Sequence, residues 1–389
     1  MSAPTIAVSR SAPGHTLGVA GTAHALHDGF TDLIYILLPV WQAEFGLGYG
    51  VLALIRGLYT GAMASLQVPA GRLAERFGGR LILALGTVVA AAGYLLAGLS
   101  GGLLGLGVAL ALSGAGASTQ HPIASAAVSR AYGANARGPL GIYNFAGDVG
   151  KAVLPATTGV LLTLMPWRHA VFALAALGFA VAAVIALLLP SSGRVSAGKK
   201  GKAAAGQGRG GFPLLFGIGV LDSAVRMGLL TFLPFLLKAK GAPLTEIGLA
   251  LSLVFTGGAA GKFACGWFGA RAGVLATVLL TEGGTAAVIL LVLVLPLTPV
   301  LFLLPVLGLM LNGTSSVLYG SVPELTPPDQ TERAFALFYT GTIGSGALAP
   351  IVFGVLGDAA GVSWATGATA ATALATVPLA LALAPKLVR

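Results

Sequence analysis

Long apolar stretches, separated by short polar ones, run through the whole chain. Because one helix needs roughly 20 apolar residues to cross the hydrocarbon core of a bilayer, these stretches predict membrane-spanning helices. They are continuous and do not alternate with polar residues, which excludes a transmembrane β-barrel. Six stretches precede a Gly/Lys/Arg-rich gap and six follow it: about 17–41, 50–70, 81–99, 102–128, 139–162 and 168–190, then 212–237, 245–269, 272–296, 299–320, 334–356 and 362–385.

This pattern predicts an all-α membrane protein with twelve transmembrane helices in two six-helix pseudo-repeats. The first bundle is expected over 1–190, a basic cytoplasmic linker over 191–211, and the second bundle over 212–389. A water-soluble enzyme or binding module is excluded, because only 9% of the 389 residues are charged, against about 25% in soluble domains. The single cysteine, Cys265, excludes a disulfide framework, and we expect no metal and no cofactor.

The positive charges predict the orientation of the chain. With the amino terminus in the cytoplasm, fifteen of the 22 Lys and Arg residues fall on the cytoplasmic side and three on the outer side, and four lie inside helices. Cytoplasmic loops of membrane proteins carry such an excess. We therefore expect a multi-pass protein of the inner (plasma) membrane with both termini cytoplasmic. The same bias explains the net charge of +10 without a nucleic-acid partner.

The two halves of the chain repeat in sequence. The stretch 71–80 has a counterpart at 266–273, an offset of 195, and Asp28 matches Asp222 at nearly the same offset. Two halves related in this way are typical of transporters in which one bundle rocks against the other around a site at mid-membrane.

The stretch 71–80 resembles the signature loop of the major facilitator superfamily, and its second copy keeps Gly266, Arg271 and Gly273. The resemblance implies that Glu75 holds the two halves together by ion pairs in one conformation. A plain cluster of positive charge on the cytoplasmic side is the alternative. The expected conformational-switch residues are Gly71, Arg72, Glu75, Arg76, Gly78, Arg80 and Arg271.

A narrower resemblance covers most of the first half. The stretches 24–28, 114–125 and 145–150 are similar to segments of the fosmidomycin-resistance exporters, although Asp148 stands where those exporters have Asn and Lys151 is a second difference. Those exporters expel a phosphonate antibiotic with the proton gradient. The resemblance therefore implies the fold, proton coupling and export.

Nine charged residues fall inside the apolar segments. A charge at the bilayer centre costs roughly 2.5–3.5 kcal/mol, so these residues must pair, lose their charge or line a wet cavity, and each outcome places them inside the bundle. They are Asp28, Asp32, Arg56, Asp148, Lys151, Asp222, Arg226, Lys262 and Glu282.

The acidic residues of the first helix are the main candidates for proton coupling. Asp28 and Asp32 are four residues apart and share a helix face. Two close carboxylates that share a face suit proton uptake and release. His24, one turn before Asp28, could relay the proton, and Glu282 is a further candidate. The alternative is that Asp28 only caps or pairs near a helix end.

Lys262 is the first candidate for substrate binding, because no acidic residue lies within one helical turn of it. It must pair with Glu282 or Asp148 on another helix, or bind an anion. Arg56 also lacks a local partner and is expected to extend to the outer surface.

Other cations have acidic neighbours on their own helices. Arg226 is four residues from Asp222, and Lys151 is three residues from Asp148, so both can form intrahelical ion pairs.

Pro122 is expected to break the fourth helix near Ser118, because proline removes a backbone hydrogen bond. The break makes Gln120 and His121 candidates for a pocket, with a simple packing kink as the alternative. The full set of substrate candidates is Lys262, Arg226, Lys151, Asp148, Gln120, His121, Tyr143, Asn312 and Tyr339.

The sequence thus indicates a monomeric, proton-coupled major facilitator transporter of a small organic anion, with the lipid bilayer as its surroundings. Uptake by symport is the alternative to export. No nucleotide-binding loop is present, so ATP-driven transport is not expected. A membrane-embedded hydrolase or a sensor has less support, since neither a catalytic motif nor an output domain is recognisable.

Overall fold

The computed structural model describes residues 13–190, 211–327 and 331–387, and within them the chain is helical and forms no strand. The predicted linker lies almost entirely outside these residues. The helices are α1 Pro13–Phe45, α2 Tyr49–Phe77, α3 Gly79–Leu99, α4 Leu103–Ala117, α5 Gln120–Tyr132, α6 Arg137–Leu164, α7 Trp167–Leu188, α8 Phe212–Ala239, α9 Leu244–Val294, α10 Leu297–Leu325, α11 Thr331–Ala360 and α12 Val362–Leu383.

Nine helical stretches of the described residues are long and apolar enough to cross a membrane, with α4 and α5 counted together and α9 counted once. Helices α1 and α6 are not among the nine. Both carry polar residues near their middle, Asp28 and Asp32 on α1 and Asp148 and Lys151 on α6. The chain is thus a multi-pass, all-helical membrane protein, and the count of twelve crossings stays a prediction.

Two breaks in the helices have clear local causes. The predicted break before Pro122 is confirmed, since α4 ends at Ala117 and α5 begins at Gln120. The two apolar segments expected at 245–269 and 272–296 form two helices that meet at a non-helical break at Gly273, and together they make up α9. Gly273 has φ 82°, a left-handed conformation that glycine adopts without steric cost.

Small residues let α1 and α6 approach closely. A side chain at Gly150 would overlap the backbone carbonyl of Ala25, and one at Gly147 would lie 2.7 Å from the His24 ring. Small residues permit such close approach of membrane helices. The close contact places the middle of α6 directly against the middle of α1.

The N-terminal half, 13–190, and the C-terminal half, 211–327 with 331–387, are joined at one end of the bundle. Tyr49 packs its ring against Phe235 at a centroid distance of 5.0 Å, and Lys238 Nζ donates to the Pro39 carbonyl at 3.4 Å. Ser252 donates to the carbonyl of Ala152. We call this the joined end.

The apolar cores show the same asymmetry. One core contains residues of both halves, such as Ile36 and Phe232. A second core, which includes Leu215, Leu325 and Leu383, is built from the C-terminal half alone and lies at the opposite end. The bundle is therefore closed at the joined end, and a cavity remains between the halves beneath it.

Candidate functional site

A cavity of about 270 Å³ lies between the two halves. Its walls come from α1, α2, α5 and α6 on one side and from α8, α9 and α10 on the other. The polar and charged residues that line it are Asp28, Thr31, Asp32, Arg56, Thr60, His121, Asp148, Lys151, Arg226, Lys262 and Asn312. The charged residues predicted to lie inside the bundle thus meet at one cavity, apart from Asp222 and Glu282.

Asp28 is the centre of a polar cluster on one wall of this cavity. Its Oδ2 lies 3.1 Å from Lys151 Nζ and 3.2 Å from His24 Nε2, and its Oδ1 lies 3.6 Å from His121 Nε2. Asp28 therefore pairs in the middle of α1 and not near a helix end. Lys151 pairs with Asp28 and not with Asp148, so the intrahelical pair that the spacing permits is not the one formed.

The hydrogen bond of His24 to a backbone carbonyl indicates that Nδ1 is a donor. His24 Nδ1 is 2.8 Å from the backbone carbonyl oxygen of Tyr143. A carbonyl only accepts, so Nδ1 carries the hydrogen. In a neutral imidazole Nε2 would then be an acceptor facing the Asp28 Oδ2 oxygen. The contact becomes a hydrogen bond when a further proton lies between His24 Nε2 and Asp28 Oδ2, which are 3.2 Å apart.

Lys262 forms an ion pair that joins the two halves. Its Nζ lies 2.6 Å from Asp148 Oδ1, with Lys262 on α9 and Asp148 on α6. Of the two partners that the sequence left open, Asp148 and Glu282, the structure selects Asp148. Lys262 also lines the cavity. Its role in binding an anionic substrate stays a prediction.

Arg56 contradicts the sequence-based expectation. It does not extend to the outer surface but is 98% buried, with a relative exposure of 2%. Its Nη2 donates to the Tyr35 hydroxyl at 2.5 Å, and its Nη1 lies 3.4 Å from Thr60 Oγ1. The expectation was wrong because both partners are neutral hydroxyls, which leave no charge signal in the sequence near Arg56.

Arg226 lies on the opposite wall of the cavity. Its Nε is buried without a hydrogen-bond partner, and within the described residues no carboxylate lies within 4.0 Å of its guanidinium. The intrahelical ion pair with Asp222 that the spacing permits is therefore not formed. Asp32 lies close enough to Arg56 and Arg226 to interact electrostatically with both, but not as an ion pair.

Glu282 lies away from the cavity, in a buried polar group of the C-terminal half. Its Oε1 accepts a hydrogen bond from Thr314 Oγ1 at 2.7 Å, and Thr314 also lies 2.7 Å from Thr281 Oγ1. Asp222 is close enough to Glu282 to interact with it electrostatically, while Glu282 Oε2 has no hydrogen-bond partner among the described residues. A role for Glu282 in proton coupling stays a prediction, and it would act at a distance from Asp28.

Three predicted substrate residues do not line the cavity. Gln120 is fully buried and donates from Nε2 to the Tyr143 hydroxyl at 2.7 Å, and the Tyr143 ring stacks on His24 at 4.2 Å. Gln120 thus holds Tyr143 in place, and Tyr143 contacts His24 through both its ring and its backbone carbonyl. Tyr339 is half exposed and stacks on Tyr319 at 4.8 Å.

The predicted switch loop is mostly helical. Gly71, Arg72, Glu75 and Arg76 belong to the last turns of α2, Gly78 makes the turn, and Arg80 lies in the first turn of α3. The charged side chains of this stretch are exposed. Arg271 stacks on Trp267 within α9. All of them lie at the end opposite the joined end, so an interaction between the halves through Glu75 stays a prediction for another conformation.

The histidine cluster offers donor atoms to a metal ion. Single ligand atoms of His24, Asp28 and His121 all lie within 4.8 Å of one another. Imidazole and carboxylate ligands suit Zn²⁺. However, the Lys151 ammonium already contacts the Asp28 carboxylate at 3.1 Å, and its charge opposes a second cation there. The cluster therefore fits an internal ion pair better than a metal.

The same helices are found in solved transporters. The fold is similar to that of a bacterial homologue of the human lysosomal transporter Spinster, solved in an inward-facing and occupied conformation, with a TM-score of 0.80, 15% identity and 97% of each chain covered.

Two relatives match part of the chain. An uncharacterised MFS-type transporter of Mycobacterium tuberculosis is 28% identical over 162 residues, which is 41% of this chain. The fosmidomycin resistance protein of Escherichia coli K12 is 27% identical over 146 residues, which is 38% of this chain. The matches span only 28% and 36% of the lengths of those two proteins.

The sequence model that describes the major facilitator superfamily matches nearly the whole chain, over residues 20–221 and 215–388. Members of this family are transporters and not enzymes. The match extends across both halves and includes every residue that lines the charged cavity. The chain belongs to the major facilitator superfamily of membrane transporters.

Proposed function

We propose that the protein is a secondary active transporter that moves a small organic anion across the inner membrane, coupled to protons. The observation that carries this proposal is the cavity between the halves, where charged residues of both signs surround about 270 Å³ of space near the middle of the bundle. Ionisable residues inside a membrane protein are costly and mark substrate or proton paths. The lining has four cationic side chains, Arg56, Lys151, Arg226 and Lys262, against three acidic ones, and this balance favours an anion.

The helices are consistent with twelve crossings in two six-helix pseudo-repeats. The first six are α1, α2, α3, α4 with α5, α6 and α7, and the second six are α8, the two arms of α9 on either side of Gly273, α10, α11 and α12. With both termini in the cytoplasm, the joined end faces outwards and the cavity opens inwards. Reporter fusions at 191–211 test this orientation, since a cytoplasmic linker gives a signal only with reporters that work in the cytoplasm.

The proton binds between His24 Nε2 and Asp28 Oδ2. Asp28 also holds Lys151, so a proton that neutralises the carboxylate weakens its ion pair with the ammonium. Lys151 is then free to face the cavity. Asp28 therefore links proton binding to the exposure of the Lys151 ammonium to the substrate. Coupled transport requires a link of this kind.

Export is the favoured direction, because the relative from Escherichia coli is a fosmidomycin resistance protein. Uptake by symport is the alternative. Both use the same alternation, in which the halves separate at the joined end and close at the other. One chain supplies both walls of the cavity, which supports a monomer as the transporting unit.

The test uses proteoliposomes of the purified full chain with a pH-sensitive dye inside. Fosmidomycin and methylphosphonate are added outside, and anion and proton fluxes are recorded together. Opposite fluxes indicate antiport, and fluxes in the same direction indicate symport. If neither anion moves and neither changes the internal pH, the proposed function is wrong.

A further inference from the structure

The cations of the cavity are not equivalent. Lys151 lies 3.1 Å from the Asp28 carboxylate and Lys262 lies 2.6 Å from the Asp148 carboxylate. Each of these ammonium groups is therefore already neutralised by a partner within the protein. An anionic ligand would have to displace a carboxylate to reach either of them.

Among the described residues, Arg56 has no carboxylate partner of this kind. It is buried and bonded through its Nη atoms to the hydroxyls of Tyr35 and Thr60, and its Nη2 lies 3.8 Å from the sulfur of Met227. Its Nε has no hydrogen-bond partner at all in the described part of the chain. A buried guanidinium that meets only neutral groups keeps its full positive charge.

Arg226 is the corresponding cation of the other half. It is the neighbour in sequence of Met227, which contacts both Arg56 and Tyr35, so α2 and α8 meet at this point. Like Arg56, it lines the cavity and has a buried Nε without a partner among the described residues. Two guanidinium groups, one from each half, thus face the same space without an ion pair.

Asp32 is the carboxylate of the cavity that interacts electrostatically with Lys151 first and also with both guanidiniums. In the described structure it forms no ion pair within 4.0 Å with either arginine. Among the residues that line the cavity, Lys151 and Lys262 are paired with Asp28 and Asp148, so Arg56, Arg226 and Asp32 leave an excess of one positive charge. Such an excess in a buried cavity is costly unless a ligand balances it. A ligand that brings at least one negative charge is therefore favoured there.

We propose that Arg56 and Arg226 together form the binding site for the oxyanion group of the substrate. The planar guanidinium presents paired N–H donors that match a carboxylate, phosphonate or phosphate group. The inference rests on the proposed function and deepens it, since it names the group that is recognised and moves its recognition from Lys262 to two arginines. Because the arginines belong to different halves, the bound oxyanion draws α2 and α8 together.

The first experiment measures binding to the purified full chain in detergent by isothermal titration calorimetry. The probes are methylphosphonate, acetate and inorganic phosphate, with choline as a cationic comparison. We expect at least one anion to bind and choline not to bind. If choline binds and no anion does, both the proposed function and this inference are wrong.

The second experiment locates the site. Arg56→Gln and Arg226→Gln each remove a charged hydrogen-bonding group, so the Kd of the bound anion should rise at least about 10-fold. Arg130→Gln is the matched control, because it removes the same charge from an exposed position on α5. Its Kd should stay within about threefold of the wild-type value.

The variants must be compared as folded proteins. Arg56→Lys and Arg226→Lys serve as substitutes if a Gln variant does not fold. They keep the charge but lose the planar donor pair, so we expect them to weaken binding as well. Unliganded melting temperatures show which variants are comparable. If folded Arg variants bind the anion with the wild-type Kd, or if only Lys262→Gln loses it, the two-arginine site is wrong while anion transport stands.

Discussion

Asp358 binds the amino-terminal end of α2 through the backbone N–H of Tyr49, with 2.6 Å between Asp358 Oδ1 and the nitrogen. Its Oδ2 accepts a second hydrogen bond from the Gly50 N–H at 3.0 Å. The first N–H groups of a helix lack partners within the helix, and a carboxylate there is favourable. Because Asp358 belongs to α11 and Tyr49 to α2, this contact holds the two halves together at the joined end.

Removal of this carboxylate should favour the opposite conformation. Loss of a helix-capping side chain costs about 0.5–2 kcal/mol, which corresponds to about 2- to 30-fold in the ratio of the two conformations. We expect Asp358→Ala to increase the population that is open at the joined end. Spin labels on each half at that end, in a Cys265→Ser background, measure the change as longer distances by pulsed electron resonance.

Glu324→Ala is the control for this change, because it removes an exposed carboxylate at the other end of the bundle. It should leave the distance distribution at the joined end unaltered. An Asp358→Ala distribution that matches the wild type would show that the contact with α2 does not set the conformational balance.

Asp28→Asn should uncouple transport from the proton gradient. The amide has the shape of a neutral carboxyl group but cannot release a proton, so the cluster stays in one protonation state. We expect accumulation driven by a pH gradient to be lost, while exchange of labelled for unlabelled substrate continues. Proteoliposome assays with and without a pH gradient separate the two activities.

Glu44→Gln provides the comparison on the same helix, since Glu44 pairs with Arg168 near the end of α1. It should keep gradient-driven accumulation. Gradient-driven accumulation that persists in Asp28→Asn would mean that the coupling proton lies elsewhere, with Glu282 as the next residue to change.

Lys262→Gln should modestly lower the melting temperature. Adding Asp148→Asn to the same chain should restore it. Lys262 is 45% exposed, so its pair with Asp148 contributes about 1 kcal/mol or less. The single variant leaves Asp148 as an unpaired carboxylate, whereas the double variant leaves two neutral amides that can bond to each other. Melting temperatures of the wild type, both single variants and the double variant give the coupling directly. Additive changes would show that the ion pair does not join the halves energetically.

Gly150→Ala should destabilise the N-terminal half. The added Cβ would overlap the carbonyl of Ala25, and such overpacking costs about 1–3 kcal/mol. Gly141→Ala, on the same helix, meets no atom within 4 Å and is the matched control. We expect a lower melting temperature in detergent for the first variant only. Equal melting temperatures would mean that α1 and α6 can separate without loss.

The sequence predicted those features that have a local cause. The break before Pro122 follows from a missing backbone N–H, and the interior position of Asp28 follows from the cost of a charge in lipid. The burial of Arg56 could not be predicted, because its partner Tyr35 lies on another helix and Met227 lies 171 positions away in the other half. The pairing of Lys151 with Asp28 could not be predicted either, because it depends on how closely α1 and α6 approach each other.

The closure of the bundle at one end also determines which reagents can reach the cavity. In this conformation a small, membrane-impermeant thiol reagent should modify a cysteine placed at Thr60 or Met63, which line the cavity, from one side of the membrane only. An inhibitor that cannot cross lipid should likewise act from one compartment and have no effect from the other. The direction from which a compound acts is therefore a measurable property of this protein, separate from the affinity with which it binds.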